Sequence, residues 1–191
     1  MLFSAFENVL QTVAKMHKDG VAHLDIKPEN IVVQLPINNK KFEMHLIDFD
    51  TATSSPENYS GAVLGSFAYM EPSAYKQYYT GTGNGVNYVM KGTYGLRSDI
   101  YSLGATLHAI LFGELYLNMT AFIVHDPAYA KEKQKYIDSM PSQMKMDFEK
   151  KFQFLETMHS QNRPSVQEVI DFFYDTKNDK ENAKILNKRK R

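Results

Sequence analysis

An acid, a lysine and an asparagine are packed into one short stretch, His23-Leu24-Asp25-Ile26-Lys27-Pro28-Glu29-Asn30, directly ahead of the apolar run Ile31-Val32-Val33. Charged and amide side chains so close together, followed at once by strand-forming residues, read as a loop built for chemistry on the edge of a core. The residues before it carry apolar side chains at Phe6, Val9, Leu10, Val13 and Met16. That spacing predicts one face of a helix over 2–18, ended by Asp19-Gly20. After the loop, residues 31–35 and 43–47 are short apolar or alternating runs separated by Pro36-Ile37-Asn38-Asn39-Lys40, which predicts a β-hairpin.

Further along, residues 50–98 are rich in Gly, Ser, Thr and Tyr and weakly periodic, so they read as long ordered loops with one short helix. The segment Asp99–Phe112 is apolar nearly all round, the mark of a buried helix, with Ser98 placed to cap it. Residues 128–137 and 143–158 read as amphipathic surface helices. Ser165 with Glu168 three residues on forms a capping box for a last helix. The sum is an α-rich (α+β) domain over 1–175 with one small β-hairpin, followed by a polar, basic tail over 176–191.

The loop at 23–30 resembles the catalytic loop of protein kinases, H-R-D-x-x-x-x-N. Four more stretches resemble that family's signatures in its order. Ile47-Asp48-Phe49-Asp50 is similar to the D-F-G motif. Gly65-Ser66-Phe67-Ala68-Tyr69-Met70-Glu71-Pro72-Ser73 is similar to the end of an activation segment. Asp99-Ile100-Tyr101-Ser102-Leu103-Gly104 resembles the start of the family's buried central helix, and Asn162-Arg163-Pro164-Ser165 its late arginine motif. Each motif is weak to moderate alone; five in order on the predicted elements are specific. Lys27-Pro28-Glu29-Asn30 and Ser66 point to the serine/threonine branch.

This resemblance implies the C-terminal lobe of a eukaryotic-type protein kinase, with ATP and Mg2+ as cofactors. It implies Asp25 as the group that accepts or orients the proton of the attacking hydroxyl, and Lys27 as the cation that neutralises the migrating phosphoryl group. Asn30 and Asp48 would ligate magnesium as hard oxygen donors, and Val32 would be the apolar contact under adenine. His23 would pack on Phe49, and Asp99 would accept backbone hydrogen bonds from the catalytic loop.

The departures from the pattern carry as much information. Leu24 stands where the family has Arg, so phosphorylation at Thr51, Thr53, Ser54 or Ser55 would have less to pair with. Asp50 replaces the Gly of D-F-G. Ser73 replaces the Glu that pairs with the late Arg, which leaves Glu71 as the expected partner of Arg163. Residues 74–98 include an insertion, in which Gly81-Thr82-Gly83-Asn84-Gly85-Val86 reads as a turn because it fails G-x-G-x-x-G. Before residue 23 there is no glycine-rich loop, strand lysine or partner glutamate, so the N-terminal lobe is expected to be absent. Two functions follow. One is a serine/threonine kinase completed by a small lobe from elsewhere. The alternative is a pseudokinase or kinase-mimic binding protein without activity of its own.

Bulk properties narrow the partners. The formal charge is zero, which gives no broad field for nucleic acid or an anionic membrane. The absence of cysteine excludes a disulfide scaffold and a Cys-based zinc site. The start of the chain lacks a basic n-region, and no run approaches a membrane span. The expected setting is cytoplasmic, with Lys188-Arg189-Lys190-Arg191 as a nuclear-import candidate or a solvated tail. Expected partners are a protein substrate, a partner kinase or small lobe, or the chain itself through an exposed lobe interface. The histidines other than His23 are scattered and without metal spacing.

Overall fold

A computed structural model describes residues 2–35, 42–54, 65–71, 95–112, 127–159 and 162–174. Helix α1 spans Leu2–Lys18. Its predicted apolar stripe is the one it buries: Phe6, Val9, Leu10 and Val13 are inaccessible to solvent, while Met16 is half-buried. The helix ends in a Schellman motif, with Val21 N–H donating to Met16 O at 2.9 Å and Gly20 N–H to His17 O at 3.0 Å. Gly20 sits at φ 72°, a left-handed turn that glycine makes without strain.

A single 3-10 turn, Pro28–Asn30, leads into strand β1, Ile31–Gln34. Strand β2, Glu43–Leu46, pairs with it antiparallel in the register Ile31 with Leu46 through Gln34 with Glu43. The predicted hairpin is therefore present; its turn lies outside the described residues. Met44 and Leu46 are buried against α1, whereas Val32 and Val33, on opposite faces of β1, are both exposed.

Helix α2, Leu96–Phe112, is the buried centre. It begins earlier than Ser98, so Ser98 is not its N-cap. Gly95 holds that position, and Ser98 Oγ reaches back to accept the Gly95 N–H at 3.1 Å, the return half of a capping box. Most of the predicted 50–98 loop region lies outside the described residues; within it, Phe67–Tyr69 form one 3-10 turn. Helices α3, Pro127–Asp138, and α4, Ser142–Met158, match the two predicted surface helices. Helix α4 buries Phe152, Leu155 and Met158 against α2. Close approach there depends on Gly104, where an added Cβ would come within 3.0 Å of Met158 Cβ.

Helix α5, Val166–Tyr174, carries the predicted capping box. Ser165 N–H donates to Glu168 Oε2 at 2.7 Å, and Glu168 N–H returns to Ser165 Oγ at 3.2 Å. These bonds hold the Glu168 carboxyl below its usual pKa. Ser165→Ala is expected to cost about 1 kcal/mol of stability, measured by denaturant titration. An unchanged midpoint would remove the cap from the account.

Two histidines that look scattered in the sequence meet inside this core. His108 Nδ1 and His159 Nε2 lie 3.0 Å apart, and both rings are held neutral by burial, His108 down to about 4 and His159 well below its ordinary value. A neutral buried imidazole binds fewer protons folded than unfolded. Stability is therefore whole above about pH 6.5 and falls as pH drops towards 4. The melting temperature should decline across that window and decline less steeply when both are replaced by glutamine. A parallel decline in the double variant would assign the acid sensitivity to other groups.

Candidate active site

Ser98, Asp99, Ser102 and Thr106 form one polar stripe on α2, and each addresses a loop or turn. Asp99 Oδ2 and Oδ1 accept the backbone N–H groups of His23 and Leu24, both at 2.8 Å. Ser102 Oγ–H donates to Tyr69 O at 2.8 Å, and Thr106 Oγ–H to Ile26 O at 3.3 Å. Ser98 Oγ–H donates to Glu71 Oε1 at 2.7 Å. Residues 98, 99, 102 and 106 follow helical spacing, so one helix face fixes both the 23–30 loop and the 65–71 segment. Asp99 was the member legible from its motif. The polar stripe on an apolar run was the available signal for Ser102 and Thr106.

Asp99 has a further partner that no local motif records. His17 Nε2, from the end of α1, lies 2.9 Å from Asp99 Oδ2. The fixed loop is strained at Leu24, which takes φ 68°, a left-handed conformation costly for a leucine. Gly65 packs against that residue, so closely that a Cβ there would lie 2.5 Å from Leu24 O, and its own φ is 108°. Only glycine fits this approach.

The loop so held brings three groups together. Lys27 Nζ donates to Asp25 Oδ2 at 2.8 Å and to Ser66 Oγ at 2.8 Å. Ser66 Oγ–H donates to Asp25 Oδ1 at 2.9 Å. Asn30, buried, donates from Nδ2 to Asp25 O at 2.8 Å and to Asp25 Oδ2 at 3.1 Å. A carboxylate, a cation and an alcohol thus converge at hydrogen-bond distance, which is the arrangement needed to take a proton from a hydroxyl while a positive charge stands beside it.

Asp48 lies on the next loop, exposed, at φ 64°. Ile47 N–H donates to Asn30 O at 2.9 Å, which holds the two loops side by side. The structure therefore sets Asp25, Lys27 and Asn30 in one bonded cluster and Asp48 on the adjoining loop. Val32 lies on the outer face of the hairpin, 44% exposed. His23 packs on Phe49, ring centroids 5.2 Å apart, and its burial lowers its pKa. Thr51 Oγ–H donates to His23 O at 2.6 Å, and Ala22 and Thr53 exchange backbone hydrogen bonds at 2.9 Å. The segment after Asp48 is stitched to the loop by these bonds.

The expected substitute ion pair is also present. Arg163 Nη1 lies 2.6 Å from Glu71 Oε2, with both side chains nearly withdrawn from solvent, and the guanidinium stacks over Tyr101 at 5.4 Å. Among the described residues no cluster of three or more His, Cys, Asp or Glu side chains could hold a metal ion. No helix among them is long and apolar enough to cross a membrane.

Residues 2–175 match the family described as protein kinase domain. Probable serine/threonine-protein kinase fhkE of Dictyostelium discoideum is 31% identical over 109 residues, covering 56% of this chain and 14% of that protein. Serine/threonine-protein kinase cds1 of Schizosaccharomyces pombe is 30% identical over 107 residues, 55% of this chain and 20% of that protein. Calcium-dependent protein kinase 4 of Plasmodium berghei is 31% identical over 110 residues, 56% of this chain and 17% of that protein. The matched segment therefore spans a fifth or less of the length of these relatives.

Proposed function

Because this chain belongs to the protein kinase domain family, we propose that it forms the large lobe of a serine/threonine protein kinase and transfers phosphate from ATP to protein hydroxyls once a small lobe covers its site. On this reading residues 1–175 are the lobe and 176–191 a polar tail. The observation that carries it is the Ser66 hydroxyl donating to Asp25 and accepting from Lys27. The acceptor alcohol of a substrate would present the same atom to the same two groups. Asp25 then takes the hydroxyl proton as the oxygen attacks, and Lys27 offsets the negative charge of the migrating group.

Asn30 and Asp48 suit a magnesium ion. Asn30 directs its Nδ2 to Asp25, which leaves the amide oxygen as a neutral donor, and the Asp48 carboxylate is exposed to solvent. Both are hard oxygens, the class magnesium prefers. Mg-ATP, when bound, supplies the phosphoryl group. Asp50, also exposed, adds a negative charge beside the site that attracts the cation and repels phosphate. We expect weak, magnesium-dependent nucleotide binding by this chain, lost in Asp48→Ala, by calorimetry. Submicromolar affinity, or binding unchanged by Asp48→Ala, would defeat this assignment.

A second reading, a binding protein without activity, is favoured by one surface. Val32, Val33, Leu35, Phe42, Ile47 and Phe49 are all between 39% and 66% exposed on or beside the hairpin. Exposed apolar side chains gathered around one hairpin suit an interface. Under the first reading a small lobe covers it; under the second a partner protein or another copy does. Catalytic transfer that depends on Asp25 separates the two.

A further inference from the structure

Among the described residues, Leu24 at φ 68° and Asp48 at φ 64° are the two non-glycine positions with a left-handed backbone. Both stand beside the Asp25 centre, and such a state persists only where the surroundings hold it, above all for a leucine. The peptide unit that joins His23 to Leu24 shows what does the holding. Its N–H donates to Asp99 Oδ1 at 2.8 Å, and its C=O accepts Thr51 Oγ–H at 2.6 Å. Turning this peptide plane over would take Leu24 to a negative φ, the region a leucine prefers. The turn breaks both bonds at once. Asp99 therefore guards one edge of the peptide and Thr51 the other.

A threonine hydroxyl on a carbonyl often does no more than satisfy a polar group. Two observations go further here. Thr51 lies 28 residues from the carbonyl it meets, so the bond joins two separate loops. Asp48 lies between two such ties, with Ile47 N–H on Asn30 O before it and Thr51 on His23 O after it. Phe49, between the same ties, packs on the His23 ring at 5.2 Å. Removing the Thr51 hydroxyl would leave the carbonyl of the buried His23 short of its partner and Leu24 with one guard fewer.

We propose that Thr51 is a positioning residue for the Asp25 centre, which rests on the kinase reading of that centre: its hydroxyl locks the His23–Leu24 peptide from the side opposite Asp99 and holds the Asp48 loop alongside. Thr51 acts through the backbone. Leu24 directly precedes Asp25, so a rotation there swings the carboxylate away from Lys27 and Ser66. Misplacing a reacting group by about 1 Å can cost on the order of a hundredfold in rate. Asp99 still holds the other edge of the peptide, so the loss without Thr51 is smaller, about tenfold.

The test compares Thr51→Val, which keeps the shape and loses the hydroxyl, with Thr51→Ser, which keeps the hydroxyl. Amide hydrogen exchange on the 191-residue chain reads the lock itself. In Thr51→Val the Leu24 amide should exchange about tenfold faster, with the amides of α1 and α2 unchanged, and Thr51→Ser should restore the wild-type rate. Phosphate transfer from Mg-ATP by each protein, mixed with a purified kinase small lobe, reads the consequence. Thr51→Val should lower kcat about tenfold and raise KM for Mg-ATP through the loosened Asp48 loop, and Thr51→Ser should recover both. A smaller folded fraction would lower the rate without moving KM. Wild-type exchange at Leu24 in Thr51→Val, faster exchange spread equally over α1 and α2, an unmoved KM, or failure of Thr51→Ser to recover would each overturn the proposal. A mixed wild type that transfers nothing would sink the kinase reading alone, because exchange tests the lock without it.

Discussion

Glu71→Ala is expected to destabilise the fold by about 3–5 kcal/mol, because it strips the partner from a buried guanidinium. The pair is 2.6 Å apart with side chains 9% and 2% exposed, so solvent does little to replace the lost carboxylate. Ser98 loses its acceptor in the same step. A domain of this size is stable by only about 5–15 kcal/mol, so the loss is a large share of the whole. Arg163→Ala should cost a similar amount, since it leaves Glu71 buried and unpaired. The double variant should cost less than the sum of the two, the sign of direct coupling. Denaturant midpoints of the four proteins decide it; additive losses would mean that the two side chains act separately.

This pair also marks what the sequence could convey. Ser73 in place of the usual acid left Arg163 short of a partner, and Glu71, two residues earlier, was the nearest carboxylate. Glu71 is the residue that pairs with Arg163 in the structure. Helix α1, the hairpin, the buried helix and the Ser165–Glu168 cap were legible because period, turn residues and capping chemistry are local signals. The start of α2 was misplaced, because Ser98 has the chemistry of an N-cap but uses it from the first turn inward. His17 on Asp99 and His108 on His159 were invisible. Their contacts join residues 82 and 51 positions apart, and nothing local to either partner records them. The cluster of Asp25, Lys27 and Asn30 was legible from one loop; Ser66 was foreseen only as part of a stretch similar to the end of an activation segment, not as the hydroxyl between Asp25 and Lys27.

Phosphate transfer by this chain alone is expected to lie many powers of ten below that of a two-lobed kinase. On the proposed reading the Asp25 centre would supply a base and a cation, with Asn30 and Asp48 as oxygen donors. A good nucleotide pocket buries roughly 70–90% of its ligand, and the outer face of the hairpin is open. Removing one preorganised donor to a developing charge typically costs about a hundred- to a thousandfold, and a covering lobe contributes several. Each tenfold corresponds to about 1.4 kcal/mol of barrier.

The most direct measurement is transfer of labelled phosphate from Mg-ATP to a serine-containing protein, by the 191-residue chain alone and mixed with a purified kinase small lobe that carries a glycine-rich loop and its lysine. Background transfer alone, transfer on mixing, and its loss in Asp25→Ala are the predicted results. Robust transfer by the chain alone, or transfer on mixing that survives Asp25→Ala, would contradict the assignment of this loop as one half of a divided catalytic site.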